Sequence, residues 1–173
     1  MGDAFAKFET NQEVRERHRF TLETIVNPIY EFDVDGEKIL VTMANVGAPA
    51  AAALFETLIA IGCTDFIGVG SSGGLTADLP PGTVVVPDAA IRDEGVSYHY
   101  AQAALLAHPD PGMQAVVHDA YKAAGNTVAR GIAWTTDAFY RETAAKVAQR
   151  IDQGAIAVDM EMASLATIAA FRN

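Results

Sequence analysis

The chain has 173 residues, with 12 Lys and Arg against 22 Asp and Glu, so its formal charge is 12 − 22 = −10. Hydrophobic residues make up 50% and charged residues 20%, the balance of an ordinary globule able to bury its own core without a disulfide or a structural metal. The acidic surplus repels a phosphate backbone and an anionic bilayer, which excludes nucleic acid and membrane as expected partners, while a small anion can still be held by local N–H groups or one Arg.

The length fits one domain over 1–173. Cys63 is the one cysteine, too few for an internal disulfide or a CxxC metal site, and it reads as a small buried hydrophobe. Glu56 breaks the longest apolar stretch, and Met1-Gly2-Asp3 lacks a signal-peptide pattern. The expectation is a cytoplasmic protein.

In chain order, Asn11 to Phe20 is charged and reads as helical or irregular. Ile29–Val34 alternates apolar with polar residues, Asp35-Gly36 follows, and Lys38–Ala44 is apolar, which predicts a hairpin. Val46-Gly47-Ala48-Pro49 predicts a turn into a helix over 50–61 with Gly62 at its end. Phe66–Val69 predicts a short buried strand, Ser71–Gly74 a loop, and Thr83–Val86 a strand stopped by Pro87. Asp110-Pro111 opens a second helix with an apolar face of Met113, Val116, Val117, Ala120 and Tyr121, ended by Gly125. Thr127–Ala133 predicts a strand, Thr135–Tyr140 a loop, Arg141–Ile151 a third helix, Ala155–Val158 a strand, and the Ala-rich stretch to Ala170 a last helix. Strands and helices alternate, so the fold class is α/β.

Some motifs are decoys. Gly68-Val69-Gly70-Ser71-Ser72-Gly73 fits the dinucleotide pattern and Gly70–Gly74 fits the hydrolase elbow, yet both need a helix where Pro80-Pro81-Gly82 stands. What remains is a glycine-rich loop with two hydroxyls, which suits a phosphate or ribose, or is a plain tight turn. Asp159-Met160-Glu161 lacks further ligands for a metal shell. Its two acids suit sugar hydroxyls, or simply the dipole of a helix start. Phe139 in Asp137–Tyr140 can stack on a base or plug the core. His99, beside Tyr98 and Tyr100, reads as a structural histidine or a proton shuttle. His108 and His118 read as loop and helix-surface residues.

Taken in order, these segments resemble the nucleoside phosphorylase superfamily, the purine and uridine phosphorylase type. The matching pieces are Val46–Pro49, Val69–Leu75, Gly82–Pro87 with Ile91–Gly95, Thr135–Tyr140 and Val158–Ala163. The resemblance implies a three-layer α/β/α fold around a central mixed β-sheet. It also implies phosphorolysis of a nucleoside to free base and pentose 1-phosphate, with phosphate as co-substrate, no cofactor and no metal. Glu161 and Met160 would hold the ribose, and Phe139, Val158 and Asp159 would meet the base. Ser71 and Gly70 would hold phosphate, and Arg19 would reach a neighbouring subunit's phosphate in a homodimer or larger homo-oligomer. A nucleosidase and an inactive nucleoside-binding or oligomeric remnant are the alternatives.

Departures from the family pattern qualify those expectations. Gly68 stands where many phosphorylases carry Arg. Thr143 and Ala145 stand near the uridine-selecting Gln and Arg, so uracil preference does not carry over. The resemblance leaves out the family's first strand and its C-terminal part, including the strand bearing the general acid. No catalytic acid is therefore assigned, and Asp137 and Asp159 are the first candidates within these residues.

Overall fold

The structure, a computed structural model, describes residues 14–173. The chain divides into two compact units, Met1–Asn45 and Val46–Asn173.

In the first unit, β1 (Arg15–Leu22), β2 (Ile25–Val34) and β3 (Glu37–Thr42) form an antiparallel meander in the order β1-β2-β3. The Asp-Gly hairpin forms as expected: Val34 faces Glu37, with Asp35 at φ 54° and Gly36 at φ 89°. Two successive positive φ values match the twist of the flanking strands, and Asp35-Gly36 is the pair that tolerates them. The Asp33 carboxylate accepts from Gly36 N at 2.8 Å and from Lys38 Nζ at 2.9 Å, closing the turn.

The charged segment expected to be helical or irregular is instead β1 from Arg15 onward; residues 11–13 lie outside the described residues. Its polar residues conceal a strand because pairing with β2 supplies the order. Glu31 of β2, a buried carboxylate, takes Arg15 and Arg17 as partners.

The second unit is built on a five-stranded sheet in the order β4-β8-β7-β5-β6. Its members are β4 (Gly73–Gly74), β5 (Val84–Asp93), β6 (Leu106–Ala107), β7 (Val128–Thr136) and β8 (Ala155–Asp159). Strands β5, β7 and β8 run parallel, and β4 and β6 flank them antiparallel, so the sheet is mixed. Four helices surround it: α1 (Ala48–Ala60), α2 (Pro111–Ala123), α3 (Ala144–Asp152) and α4 (Met162–Arg172).

Alternation along the parallel strands sorts the core into two faces. Ala90 and Ala133 meet Ala163 and Ala166 of α4, a run of small residues that lets helix and sheet approach closely. Ile91, Trp134 and Val158 face the other way, with Val147 of α3 packed against them. Helix α1 covers α4 through Ala52, Phe55 and Ile168. This is the expected three-layer α/β/α arrangement.

Helix α1 starts at Gly47, whose φ of 100° needs glycine, and Pro49 sits in its first turn where no N–H is lost to the helix. Helix α2 is capped by the Asp110 carboxylate, which accepts from Met113 N at 2.7 Å. Asp110→Ala should therefore cost about 1 kcal/mol, read as a lower urea midpoint with unchanged slope. The expected apolar face of α2 is partly wrong. Val116 and Ala120 are exposed, and the inward residue is Gln114, which donates to Pro87 O at 2.6 Å. Val117 and Tyr121 stay half-buried beside it.

Three other expectations are corrected. Pro87 does not end β5; the ladder to β7 shifts register between Pro87 and Ala89 and continues to Asp93. A bulge absorbs the missing N–H at Pro87. Strand β7 likewise runs on through Thr135 and Thr136. Phe66–Val69 forms no strand, and Ile67 and Val69 are 60% and 63% exposed. Apolar content alone does not make a strand without a ladder partner. Among the described residues β8 pairs on that side only with Gly73 and Gly74, which had been expected to be loop.

Candidate functional site

Parallel β5, β7 and β8 end together, and their carboxyl ends bring the chemistry to one edge. Arg92 pairs with Thr135, Asp93 with Thr136, and Thr135 with Asp159. In open α/β sheets this edge is where ligands bind. Strand β4 adds the glycine-rich loop. Gly73 faces Val158 and Gly74 faces Ala157, so the glycine-rich loop enters the sheet next to the end of β8. A Cβ on Gly73 would stand 2.9 Å from a Val158 methyl, so this close approach requires glycine.

Glu161 opens α4. Its Oε1 accepts from Gly47 N at 2.5 Å, at the N-terminus of α1, although the two residues are 114 apart in sequence. The positive end of α1 favours that carboxylate. Among the described residues Oε2 takes no protein donor. Ser164 Oγ donates to Glu161 O at 2.7 Å and steadies the turn from behind.

Asp159 is engaged on both oxygens. Thr135 Oγ1 donates to Oδ1 at 2.7 Å, and Met162 N donates to Oδ2 at 2.8 Å, so this acid caps α4. Thr135 is fully buried and its hydroxyl also accepts from Ala163 N at 3.0 Å, locking strand end to helix start. Burial pushes the Asp159 carboxyl above the ordinary carboxylate range, Thr135 and Met162 pull against that rise, and the nearby Glu161 charge adds to it. A raised folded-state value gives a contribution to stability that is full below the unfolded value of about 4 and falls as pH rises through the folded one. Asp159→Asn should therefore flatten the fall in urea midpoint as pH rises above about 4.

Val158 is buried in the sheet, and Met160 is half-buried between the two acids. Phe139 is 52% exposed on a short 3-10 turn, Phe139–Arg141, with its ring 4.3 Å from that of Tyr140. Asp137 accepts from Gly95 N at 2.8 Å. Gly70 and Ser71 are exposed in the loop before β4. Asp159, Met160 and Glu161 thus follow one another at the end of β8, and the loop carrying Ser71 leads into the neighbouring β4. Arg19 belongs to the first unit, where the Glu16 carboxylate holds its guanidinium through two hydrogen bonds of 2.7 Å.

Sequence reasoning missed Gly47 as the holder of Glu161 and Thr135 as the bridge between β7 and α4. A hydroxyl pair at the end of an apolar strand was the available signal for Thr135. It also left Arg92 without a role. That buried guanidinium donates to Ser97 Oγ at 2.8 Å and Gln102 O at 2.7 Å and lies 4.4 Å from the Tyr98 ring, organising the loop that carries His99. A groove of about 560 Å3 between this loop and α4 contains none of the residues expected to meet substrate.

Among the described residues no cluster of His, Cys, Asp and Glu could hold a metal ion, and no helix is long and apolar enough to cross a membrane. The glycine-rich loop, the acid pair on a capped helix start and the aromatic turn, all served by one mixed sheet, define a class. The chain belongs to the phosphorylase superfamily, whose family model matches residues 1–173. It is 30% identical over 145 residues to a guanosine phosphorylase of Halorubrum lacusprofundi, covering 84% of this chain and 58% of that protein. It is 37% identical over 102 residues to a uridine phosphorylase of Treponema pallidum, covering 59% of this chain and 40% of that one. A uridine phosphorylase of Thermococcus kodakarensis is 34% identical over 105 residues, with 61% and 38% covered. The matched stretch thus spans about half the length of these relatives or less.

Proposed function

We propose that this chain carries the ribose- and phosphate-binding part of a nucleoside phosphorylase, a pentosyltransferase. The observation that supports this best is the Glu161 carboxylate, held by Gly47 N–H on one oxygen and, among the described residues, without a donor on the other, directly after Met160 in the chain. A carboxylate fixed in this way accepts from ribose hydroxyls without first reorganising. Met160 lines the sugar. Phe139 stacks on the base, and Val158 and Asp159 border it from the strand end, Asp159 through its backbone because its side chain is engaged. Ser71 Oγ and the Gly70 N–H serve phosphate.

In the reaction a phosphate oxygen attacks the anomeric carbon as the N-glycosidic bond breaks. The bonding pair leaves with the base, which takes up, through solvent, the proton that the attacking hydrogen phosphate gives up. Positive charge develops on the sugar, where Glu161 stabilises it, and negative charge on the base. No cofactor enters. The relatives named above are phosphorylases, which weighs against the hydrolytic reading. Arg19 serving a neighbour's phosphate requires at least a dimer and an exchange of Glu16 for the ligand. Sedimentation should show that dimer, and a monomer that still turns over nucleoside would remove Arg19 from the site. A lone Cys63 thiol fits a reducing, cytoplasmic setting, and nucleoside turnover there would serve salvage.

The test is release of free base from guanosine, inosine and uridine with and without phosphate. Phosphate-dependent release is expected. Phosphate-independent release would favour a nucleosidase, and binding without release an inactive nucleoside-binding chain.

A further inference from the structure

Phe139 is half-exposed, so its own side-chain packing does not fix it, and its place depends on the backbone that carries it. That backbone is continuous with α3. Arg141 N donates to Ala138 O at 2.7 Å, Thr143 N to Arg141 O at 2.8 Å, and Val147 N to Thr143 O at 2.9 Å. The turn therefore moves with whatever holds its two ends. At one end the Asp137 carboxylate takes Gly95 N. At the other, α3 is tied down by Asp93. One oxygen, Asp93 Oδ2, accepts from Trp134 Nε1 at 2.8 Å and forms ion pairs with Lys146 Nζ at 2.7 Å and Arg150 Nη2 at 3.1 Å. Lys146 and Arg150 are four apart on one face of α3, and both lie near the Trp134 ring, at 5.6 and 5.7 Å. Trp134 is fully buried in the sheet, so the latch is anchored to an immobile ring. Asp93 ends β5 and Gly95 follows two residues later, so the segment leaving this strand holds the aromatic turn at both ends.

We infer that Asp93 is a positioning residue: through Lys146, Arg150 and Trp134 it sets where Phe139 stands, and so sets the affinity for the base without touching it. This rests on the proposed nucleoside reading. The latch is separate from the ribose and phosphate contacts, so its loss acts on the base alone. It also carries its own reporter, because Trp134 is the one tryptophan in the chain.

The experiment titrates the full chain and its Asp93→Asn and Lys146→Met variants with hypoxanthine, with uracil and with ribose 1-phosphate, and records tryptophan emission. In both variants the emission should shift, and the Kd for whichever base the unaltered protein binds should rise by about tenfold. The Kd for ribose 1-phosphate should not change. Unchanged base affinity, or an equal loss for base and ribose 1-phosphate, would overturn the inference and leave Asp93 a purely structural residue. Lys146→Met keeps the Trp134–Asp93 bond and carries the test if Asp93→Asn does not fold. If the unaltered protein binds neither base nor ribose 1-phosphate, the functional reading falls first and this inference falls with it.

Discussion

Replacing Glu161 by alanine should weaken ribonucleoside binding by about tenfold or more while the sheet stays folded. The change removes a charge-assisted hydrogen bond of about 1.5–3 kcal/mol, and each 1.4 kcal/mol is a factor of ten in affinity. It also leaves Gly47 N, at the start of α1, without its acceptor. That N–H is part-buried, so a modest loss of stability should accompany the loss of affinity. Glu161→Gln separates the two effects. The amide oxygen can still accept from Gly47, so stability should return, whereas the charge that favours a positive sugar is gone. Calorimetric titration with a ribonucleoside, beside urea unfolding, reads both. Full affinity in a folded Glu161→Ala protein would remove Glu161 from the ribose site.

The largest effect on stability should come from Trp134→Ala. Trp134 is fully buried among Ile91, Ala155 and Val158. Truncating a buried aromatic costs about 3–5 kcal/mol in lost transfer energy and cavity. Asp93 loses a donor in the same step, and α3 loses the ring beneath Lys146 and Arg150. Against a stability of about 5–15 kcal/mol, that removes a large share of the whole. Unfolding followed by far-UV circular dichroism, which does not depend on the lost indole, should show a much lower midpoint. A shift of less than about 1 kcal/mol would mean that this face of the sheet repacks freely.

What was legible in the sequence was local. Asp35-Gly36, Gly47 before Pro49, Asp110 before Pro111 and Gly125 each act within a few residues of themselves, and each marks its turn or cap as expected. Elements defined by distant partners were not legible. Arg15–Leu22 has no apolar alternation, and it becomes a strand only because β2 pairs with it. Phe66–Val69 has the composition of a buried strand and lacks a ladder among the described residues. Val116 and Ala120 of α2 follow helical spacing yet face outward, because the polar Gln114 found a carbonyl to bond at Pro87.

The candidate site divides the same way. The residue types at Ser71, Phe139, Met160 and Glu161 could be picked out from motifs. The contacts that hold them could not. Gly47 meets Glu161 across 114 residues, and Asp137 meets Gly95 across 42. Asp159 could be read as a sugar ligand or as a helix-start acid. Only the Thr135 and Met162 donors, arriving from a neighbouring strand and the following helix, give its side chain the second role.

This edge of the sheet is proposed to serve transfer of a pentosyl group to phosphate. Phosphorus NMR of the protein with guanosine and inorganic phosphate tests it directly. The expected result is a new pentose 1-phosphate resonance growing in step with free guanine, and its loss in Glu161→Ala. Release of guanine with no new phosphorus resonance, or turnover undiminished in Glu161→Ala, would contradict the claim.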